Sequence, residues 1–227
     1  SLMKSYCDEN SVKWEECGKI VVATNNKELN GLESLLNKGQ KNKLKGIKML
    51  NAKEVNKIEP YVNAKAGILV PEESIVNFKE VANKFQEEIF SLGGKIKLSS
   101  KVIQINHLKH CKEIVLENGD KVDGEIIIST AGLYSDKIAK MLGIFIDNKQ
   151  TLPFRGEYYL LKPDYQYLVK NLVYPVPNPN LPFLGVHFTR IINGGVEAGP
   201  NAVLAMAREG YKWTNINPSE LLEALSY

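Results

Sequence analysis

Pro153-Phe154-Arg155-Gly156-Glu157-Tyr158-Tyr159 opens the stretch on which the reading of this chain turns. The stretch continues through Tyr174-Pro175-Val176-Pro177-Asn178-Pro179 and Phe183-Leu184-Gly185-Val186-His187-Phe188-Thr189-Arg190. It closes on Gly199-Pro200-Asn201-Ala202. Arginine, glutamate and histidine sit here inside apolar runs. A segment that served only as core would not carry them, because burying an unpaired charge is costly. Strand alternation places Arg155 and Glu157 on one face and Gly156 and Tyr158 on the other. It likewise separates Leu184, Val186 and Phe188 from Gly185, His187 and Thr189. Each set has two readings. Arg155 with Glu157 is either an exposed ion pair on an edge strand or an arginine placed to grip a carboxylate with two N–H groups. Gly156 beside them would let a ligand approach the backbone. His187 is either a bland histidine or a general base, since imidazole titrates near neutral pH. The prolines of 174–179 predict a rigid turn rather than a central strand. Gly199-Pro200-Asn201 reads as a turn, with Asn201 able to donate to and accept from a ligand. The whole stretch is expected to form one wall of an active site.

Upstream, Glu125-Ile126-Ile127-Ile128-Ser129-Thr130 predicts a strand buried on both faces, because it is apolar without alternation. It runs through Ala131-Gly132 into a helix holding Asp136, Ile138, Ala139, Met141 and Leu142, ended by Gly143. A small pair at a strand-to-helix turn lets backbone N–H groups approach a phosphate, assisted by the helix dipole. The alternative is a tight turn with close helix packing. The chain has no GxGxxG, so the dinucleotide fingerprint is incomplete. Asn77 with Glu80 starts a helix carrying Phe78, Val81, Ala82, Phe85, Ile89 and Leu92 at helical spacing, ended by Gly93-Gly94. Strands are expected over 95–98, 102–108, 113–117 and 121–123, with Asn118-Gly119 as a hairpin turn.

Nearer the start, Lys19-Ile20-Val21-Val22-Ala23-Thr24 predicts a strand. Asn25 with Glu28 caps a helix striped by Leu29, Leu32, Leu35 and Leu36 and ended by Gly39. Asn51 with Glu54 caps a second helix, stopped by Pro60. Gly67–Val70 predicts another strand. Pro218 to Tyr227 starts a helix expected to be cut short, and Ser1-Leu2 ahead of Met3 reads as an expression scar. Residues 77–143 are thus expected to form one α/β domain. Residues 14–76 and 151–215 are expected to form a β-rich second domain, discontinuous in sequence.

Composition narrows the partners. With 29 Lys and Arg against 26 Asp and Glu, the net charge of +3 gives no argument for nucleic acid. Lys41-Asn42-Lys43-Leu44-Lys45-Gly46-Ile47-Lys48 reads as a solvated helix end or loop rather than a phosphate-binding patch. Cys7, Cys17 and Cys111 are odd in number and lack CxxC spacing, which argues against a disulfide framework and a zinc site. They read as reduced thiols of a cytoplasmic protein. His107 and His110, beside Lys109 and Lys112, read as exposed. No apolar run approaches the roughly 20 residues that span a bilayer.

Taken together, Pro153–Tyr159, Tyr174–Pro177, Pro182–Arg190, Gly199–Ala202 and Arg208-Glu209-Gly210-Tyr211 closely resemble the L-2-hydroxyglutarate dehydrogenase/oxidase group. That group lies within the FAD-dependent, D-amino-acid-oxidase-like superfamily. The likeness extends to Cys17-Gly18-Lys19 and Ala131-Gly132-Leu133-Tyr134-Ser135-Asp136. It implies an α+β / α/β flavoenzyme fold, with a partial FAD-binding domain of the glutathione-reductase-like kind and a sheet-rich substrate domain. It implies oxidation of the 2-hydroxyl of a small dicarboxylate to a ketone. By resemblance, Val102, Thr130, Ala131 and Gly132 would contact FAD. Arg155 would bind a substrate carboxylate, and His187 would accept the hydroxyl proton. Tyr158, Tyr174, Arg190 and Asn201 would line the substrate. The family's opening strand with its GxGxxG turn, its histidine-bearing segment and its C-terminal part have no counterpart in the sequence. Ser74, Asn77 and Thr130 stand where the family pattern has glycine, aspartate and cysteine. FAD binding by this chain alone is therefore expected to be weak or absent, and the chain alone inactive. A complementary FAD-domain chain and self-association are the expected partners. Peripheral membrane association is compatible with this reading. Two other readings stand beside it: an amino-acid or amine oxidase of the same superfamily, and a non-catalytic remnant binding a dicarboxylate or a partner protein.

Overall fold

A computed structural model describes residues 2–145 and 149–226. Ser1 and Tyr227, named above, lie outside the described residues. The chain falls into two units: Ser1–Ser91 with Gly156–Ala202, and Leu92–Arg155 with Val203–Tyr227.

The chain begins with α1 (Leu2–Glu9), β1 (Trp14–Glu16) and β2 (Lys19–Ala23). No sequence signal announced α1. Its Cys7 is fully buried and forms a small core with Val12 and Val81. Asn25 caps a 3-10 turn over Asn26–Glu28, which runs into α2 (Leu29–Lys41). Gly39 does not end that helix. It lies inside α2, where an added Cβ would meet the Ile47 side chain, so its smallness serves packing. β3 (Lys48–Asn51) and α3 (Ala52–Ile58) follow, with the full capping box between Asn51 and Glu54. Next come β4 (Ala66–Val70), β5 (Ser74–Val76) and α4 (Phe78–Ser91). Through Val81, α4 packs with the first unit, whereas the sequence reading grouped it with the residues after it. β6 (Val102–His107), β7 (Lys112–Leu116) and β8 (Lys121–Gly124) form an antiparallel meander in the second unit. The remaining elements are α5 (Ser135–Met141), β9 (Phe154–Leu160), β10 (Leu172–Pro175), β11 (His187–Arg190), β12 (Val196–Leu204) and α6 (Pro218–Leu225).

A seven-stranded sheet in the order β3-β4-β2-β10-β11-β12-β9 frames the first unit. β2 and β10 are parallel, with Val21 opposite Tyr174, while β10 and β11 are antiparallel. One face buries Ile20, Val22, Leu50, Val173 and Val196 with Phe188 packed against them, covered by Val55 of α3. On the other face, Leu32, Leu35 and Leu36 of α2 cover Ala23, Ile68 and Val70. Register places Tyr174 and His187 on this second face too. Glu59, just past α3, is fully buried. Its carboxylate accepts N–H groups from Lys170 at 3.1 Å and Asn171 at 2.6 Å.

Four sequence expectations are corrected. Tyr174-Pro175 does end a central strand. Leu172 and Val176 donate to Gly18 and Val22, so by alternation the Pro175 nitrogen points away from β2, and the described ladder to β11 pairs Val173 alone. Gly199-Pro200-Asn201 lies within β12 rather than in a turn, with a cis Gly199–Pro200 peptide. Of the 183–190 run, only His187–Arg190 is strand. Residues 95–98 and 125–130 form no strand, and Ile126 and Ile128 are 80% and 85% exposed. A strand of that apolar type is stable only between neighbours that pair with it on both sides. Among the described residues no strand pairs with 125–130.

Candidate active site

His187 opens β11 and is 7% exposed. Its Nδ1 lies 3.0 Å from the Gly185 carbonyl oxygen. A carbonyl can only accept, so Nδ1 carries a proton, and in the neutral imidazole the lone pair is on Nε2. The imidazole stacks on Tyr174 with centroids 4.1 Å apart and planes at 20°. Tyr158 meets it edge-on, at 6.5 Å and 79°. Gly199 sits opposite His187 in the β11–β12 register. An added Cβ there would stand 2.6 Å from the Tyr158 ring and 2.8 Å from the Glu157 carbonyl, so only glycine lets that ring lie over β12. Burial, then the Glu197 carboxylate, pushes the Tyr158 hydroxyl above its ordinary value. It therefore remains a hydrogen-bond donor at neutral pH. A base with a fixed lone pair and two flanking phenols thus share one face of the sheet. That set can take a proton from a bound hydroxyl and hold the group that carries it.

Arg190 departs from the expected cluster. Strand alternation turns it to the face opposite His187, and its Nη1 and Nη2 grip Glu15 at 2.7 and 3.3 Å. Asn201 is exposed on β12, two residues past Gly199. Arg155 belongs to the second unit. Its Nη1 donates to the Gly210 carbonyl at 3.2 Å, and its guanidinium lies 4.4 Å from the Trp213 ring. These contacts set the plane of the guanidinium.

Val102 begins β6. Thr130 and Gly132 are exposed, and Ala131 is half-buried just before a 3-10 turn over Gly132–Tyr134. Gly132 has φ +52°, and nothing lies within 4 Å of where its Cβ would be. The backbone of 130–132 is thus open to a bulky polar group, a fit to the edge of a dinucleotide cofactor. Among the described residues, no group of three or more His, Cys, Asp and Glu is placed to hold a metal ion.

Two features had no functional signal in the sequence. Lys19, in a β-branched run, places its Nζ 4.7 Å from the Tyr174 ring centroid and 2.7 Å from Glu73. A cation opening a strand that buries Ile20 and Val22 was the available hint. In the second unit, Arg208 and Asp136 form a buried two-pronged ion pair, at 2.6 and 2.7 Å. Arg208 also donates to the Leu133 carbonyl, and Asp136 accepts the Thr151 N–H. Both residues lie in the motifs that carry the resemblance, but nothing in their spacing, 72 positions apart, links them.

A model of the FAD-dependent oxidoreductase family matches residues 1–226. The chain belongs to that family. Among its relatives, the L-2-hydroxyglutarate dehydrogenase of Indibacter alkaliphilus is 47% identical over 222 residues, covering 98% of this chain and 55% of that protein. The enzyme of the same name from Escherichia coli K12 is 38% identical over 225 residues, covering 98% and 52%. The chain thus spans about half the length of the curated relatives it matches. Among solved structures, an L-α-glycerophosphate oxidase from Mycoplasma pneumoniae, with FAD bound, superposes with a TM-score of 0.77 at 22% identity. The match covers 95% of this chain and 57% of that one, and it shows that the fold is that of an FAD-dependent oxidoreductase. No helix among the described residues is long and apolar enough to cross a membrane.

Proposed function

We propose that this chain supplies the substrate wall of a flavin-dependent oxidoreductase that converts L-2-hydroxyglutarate, or a similar 2-hydroxy acid, to the 2-keto acid. The observation that carries the reading is the 3.0 Å contact between His187 Nδ1 and the Gly185 carbonyl oxygen. With Nδ1 tied to the Gly185 carbonyl, Nε2 is the acceptor that the 2-hydroxyl proton requires as the C–H bond breaks. Thr130, Ala131 and Gly132 would hold the pyrophosphate and ribose of FAD, and Val102 its adenine, and the flavin would supply the acceptor for the hydride of C2. Tyr158 donates to a substrate oxygen. In the second unit, Arg155, its plane set by Trp213 and Gly210, carries the carboxylate-binding role that the resemblance implies. For Arg190 the geometry favours a different role, since Glu15 already occupies its fork. It braces β11 from the face opposite the base. The names of the relatives support the substrate, and the three free thiols support a cytoplasmic setting.

The test is turnover by the full-length protein with an artificial electron acceptor. L-2-hydroxyglutarate should be oxidised in preference to glycine, and His187→Gln should lower kcat by about 10²–10⁴-fold with the fold intact. Preference for glycine would move the protein to the amino-acid oxidases. A His187→Gln variant with full activity would remove the proposed base.

A further inference from the structure

Lys19 is a positive charge with no part in the reading above, yet it borders the proposed base at one remove. β10 lies between β2 and β11 in the sheet. Lys19 and Val21 share a face of β2, and Val21 is opposite Tyr174. The Tyr174 ring is therefore flanked by Lys19 on one neighbouring strand and by His187 on the other. The Lys19 Nζ sits 4.7 Å from the centroid of that ring, and the imidazole stacks on it at 4.1 Å. Glu73 tethers the ammonium at 2.7 Å, and the Gly18 N–H donates to the Glu73 backbone carbonyl, so the tether is anchored to the residue that leads into β2. A cation over an aromatic face is attracted by the ring quadrupole. Lys19 thereby restricts the rocking of the Tyr174 ring, and a fixed ring restricts the imidazole stacked on it.

We infer that Lys19, tethered by Glu73, is a positioning residue that acts through Tyr174 to hold His187 in the orientation in which Nδ1 meets the Gly185 carbonyl and Nε2 faces substrate. The inference rests on the proposed role of His187 but concerns the ring's orientation, which can be read without turnover. Lys19 does not touch the substrate in this scheme, so its loss should change kcat and leave KM alone.

The experiment compares Lys19→Met, Lys19→Arg, Glu73→Gln and Tyr174→Leu, with the Lys19→Met/Tyr174→Leu double variant, all in the full-length protein. The first readout is ¹⁵N NMR of histidine-labelled protein, with the His187 ring signals assigned by their loss in His187→Gln. Wild type and Lys19→Arg should show one tautomer, protonated at Nδ1. Lys19→Met should show tautomer averaging. The second readout is kinetic. Lys19→Met should lower kcat about fivefold at constant KM, Lys19→Arg should restore most of it, and Glu73→Gln should give a smaller loss. In the Tyr174→Leu background, Lys19→Met should add nothing. A single unchanged tautomer in Lys19→Met would overturn the inference, as would losses that simply add in the double variant. If the tautomer result holds while His187→Gln is fully active, the positioning stands and the assignment of His187 as base falls. Should Lys19→Met fail to fold, Glu73→Gln carries the same test, and an unchanged tautomer and kcat there would overturn the inference.

Discussion

Residues 1–91 with 156–202 bury a histidine, a glutamate and four apolar clusters around a seven-stranded sheet. Residues 92–155 with 203–227 bury one ion pair and, among the described residues, five apolar side chains: Ile105, Leu116, Pro153, Ala205 and Ala207. The first unit draws its stability from apolar area removed from water. The second hangs on a contact whose parts are each costly when alone. Removing either partner of a buried pair leaves a desolvated charge. The units should therefore fail in different ways, and each way can be tested.

The largest effect is expected from Arg208→Met. It leaves the Asp136 carboxylate buried without its cation, at a cost of about 3–5 kcal/mol. Hydrogen-exchange mass spectrometry should show protection lost in 92–145, 149–155 and 203–226 while 2–91 and 156–202 keep theirs. Loss spread evenly over both units would break the distinction. Next comes Ile20→Ala in the first unit. Ile20 is fully buried in the largest cluster, and large-to-small changes at such sites cost roughly 2–5 kcal/mol. Urea unfolding should show the drop, with exchange rising this time in the first unit alone. Gly199→Ala is smaller, about 1–3 kcal/mol from overpacking against Tyr158. It should displace that ring and alter the near-ultraviolet circular dichroism. An unchanged spectrum would mean that the aromatic row is not packed as tightly as its distances indicate.

Acidification gives the smallest effect and the sharpest contrast in sign. Burial pushes the Asp136 carboxyl up, but the Arg208 guanidinium and the Thr151 N–H outweigh it and hold it below the ordinary range. Its contribution is complete above the unfolded value of about 4 and is lost as pH falls through the lower folded value. Glu59 is opposite. Burial raises its carboxyl despite the N–H groups of Lys170 and Asn171. The folded state then takes up the proton more readily, so the first unit gains stability as pH falls from neutral through that raised value. Exchange measured at about pH 7, 5 and 3.5 should show the first unit firming before the second loosens.

Where folding is decided by a short stretch of chain, the residues declared it. The capping box at Asn51 and Glu54, the helix over Phe78–Ser91 and the Asn118-Gly119 hairpin all stand as their spacing indicates, but of the α4 stripe only Val81 is buried, while Phe78 and Leu92 are exposed. Alternation also separated His187 from Phe188. Pairing across strands was out of reach. That Tyr174 stacks on His187, that Lys19 borders Tyr174 and that Arg190 turns to Glu15 depend on a strand order that no local pattern encodes. The run 125–130 misled for the same reason: its apolar composition states what a strand needs, not whether partners are there. Pro175 misled because a proline bars a strand only on the side where its missing N–H would have been used.

The Glu59 carboxylate has a consequence for how the protein is made. It is satisfied by Lys170 and Asn171, 111 and 112 residues further on, and β2 likewise waits for β10. At roughly 5–20 residues per second, a ribosome takes about 5–20 s to bridge that gap. Throughout it, one edge of β2 offers unpaired N–H and C=O groups, and the glutamate that will be sealed in stands in water. Residues 92–155 emerge entirely within this interval. The nascent chain must therefore hold an open strand edge while a second unit is still being threaded out. Until β10 leaves the tunnel, that edge is open to pairing with any other exposed strand.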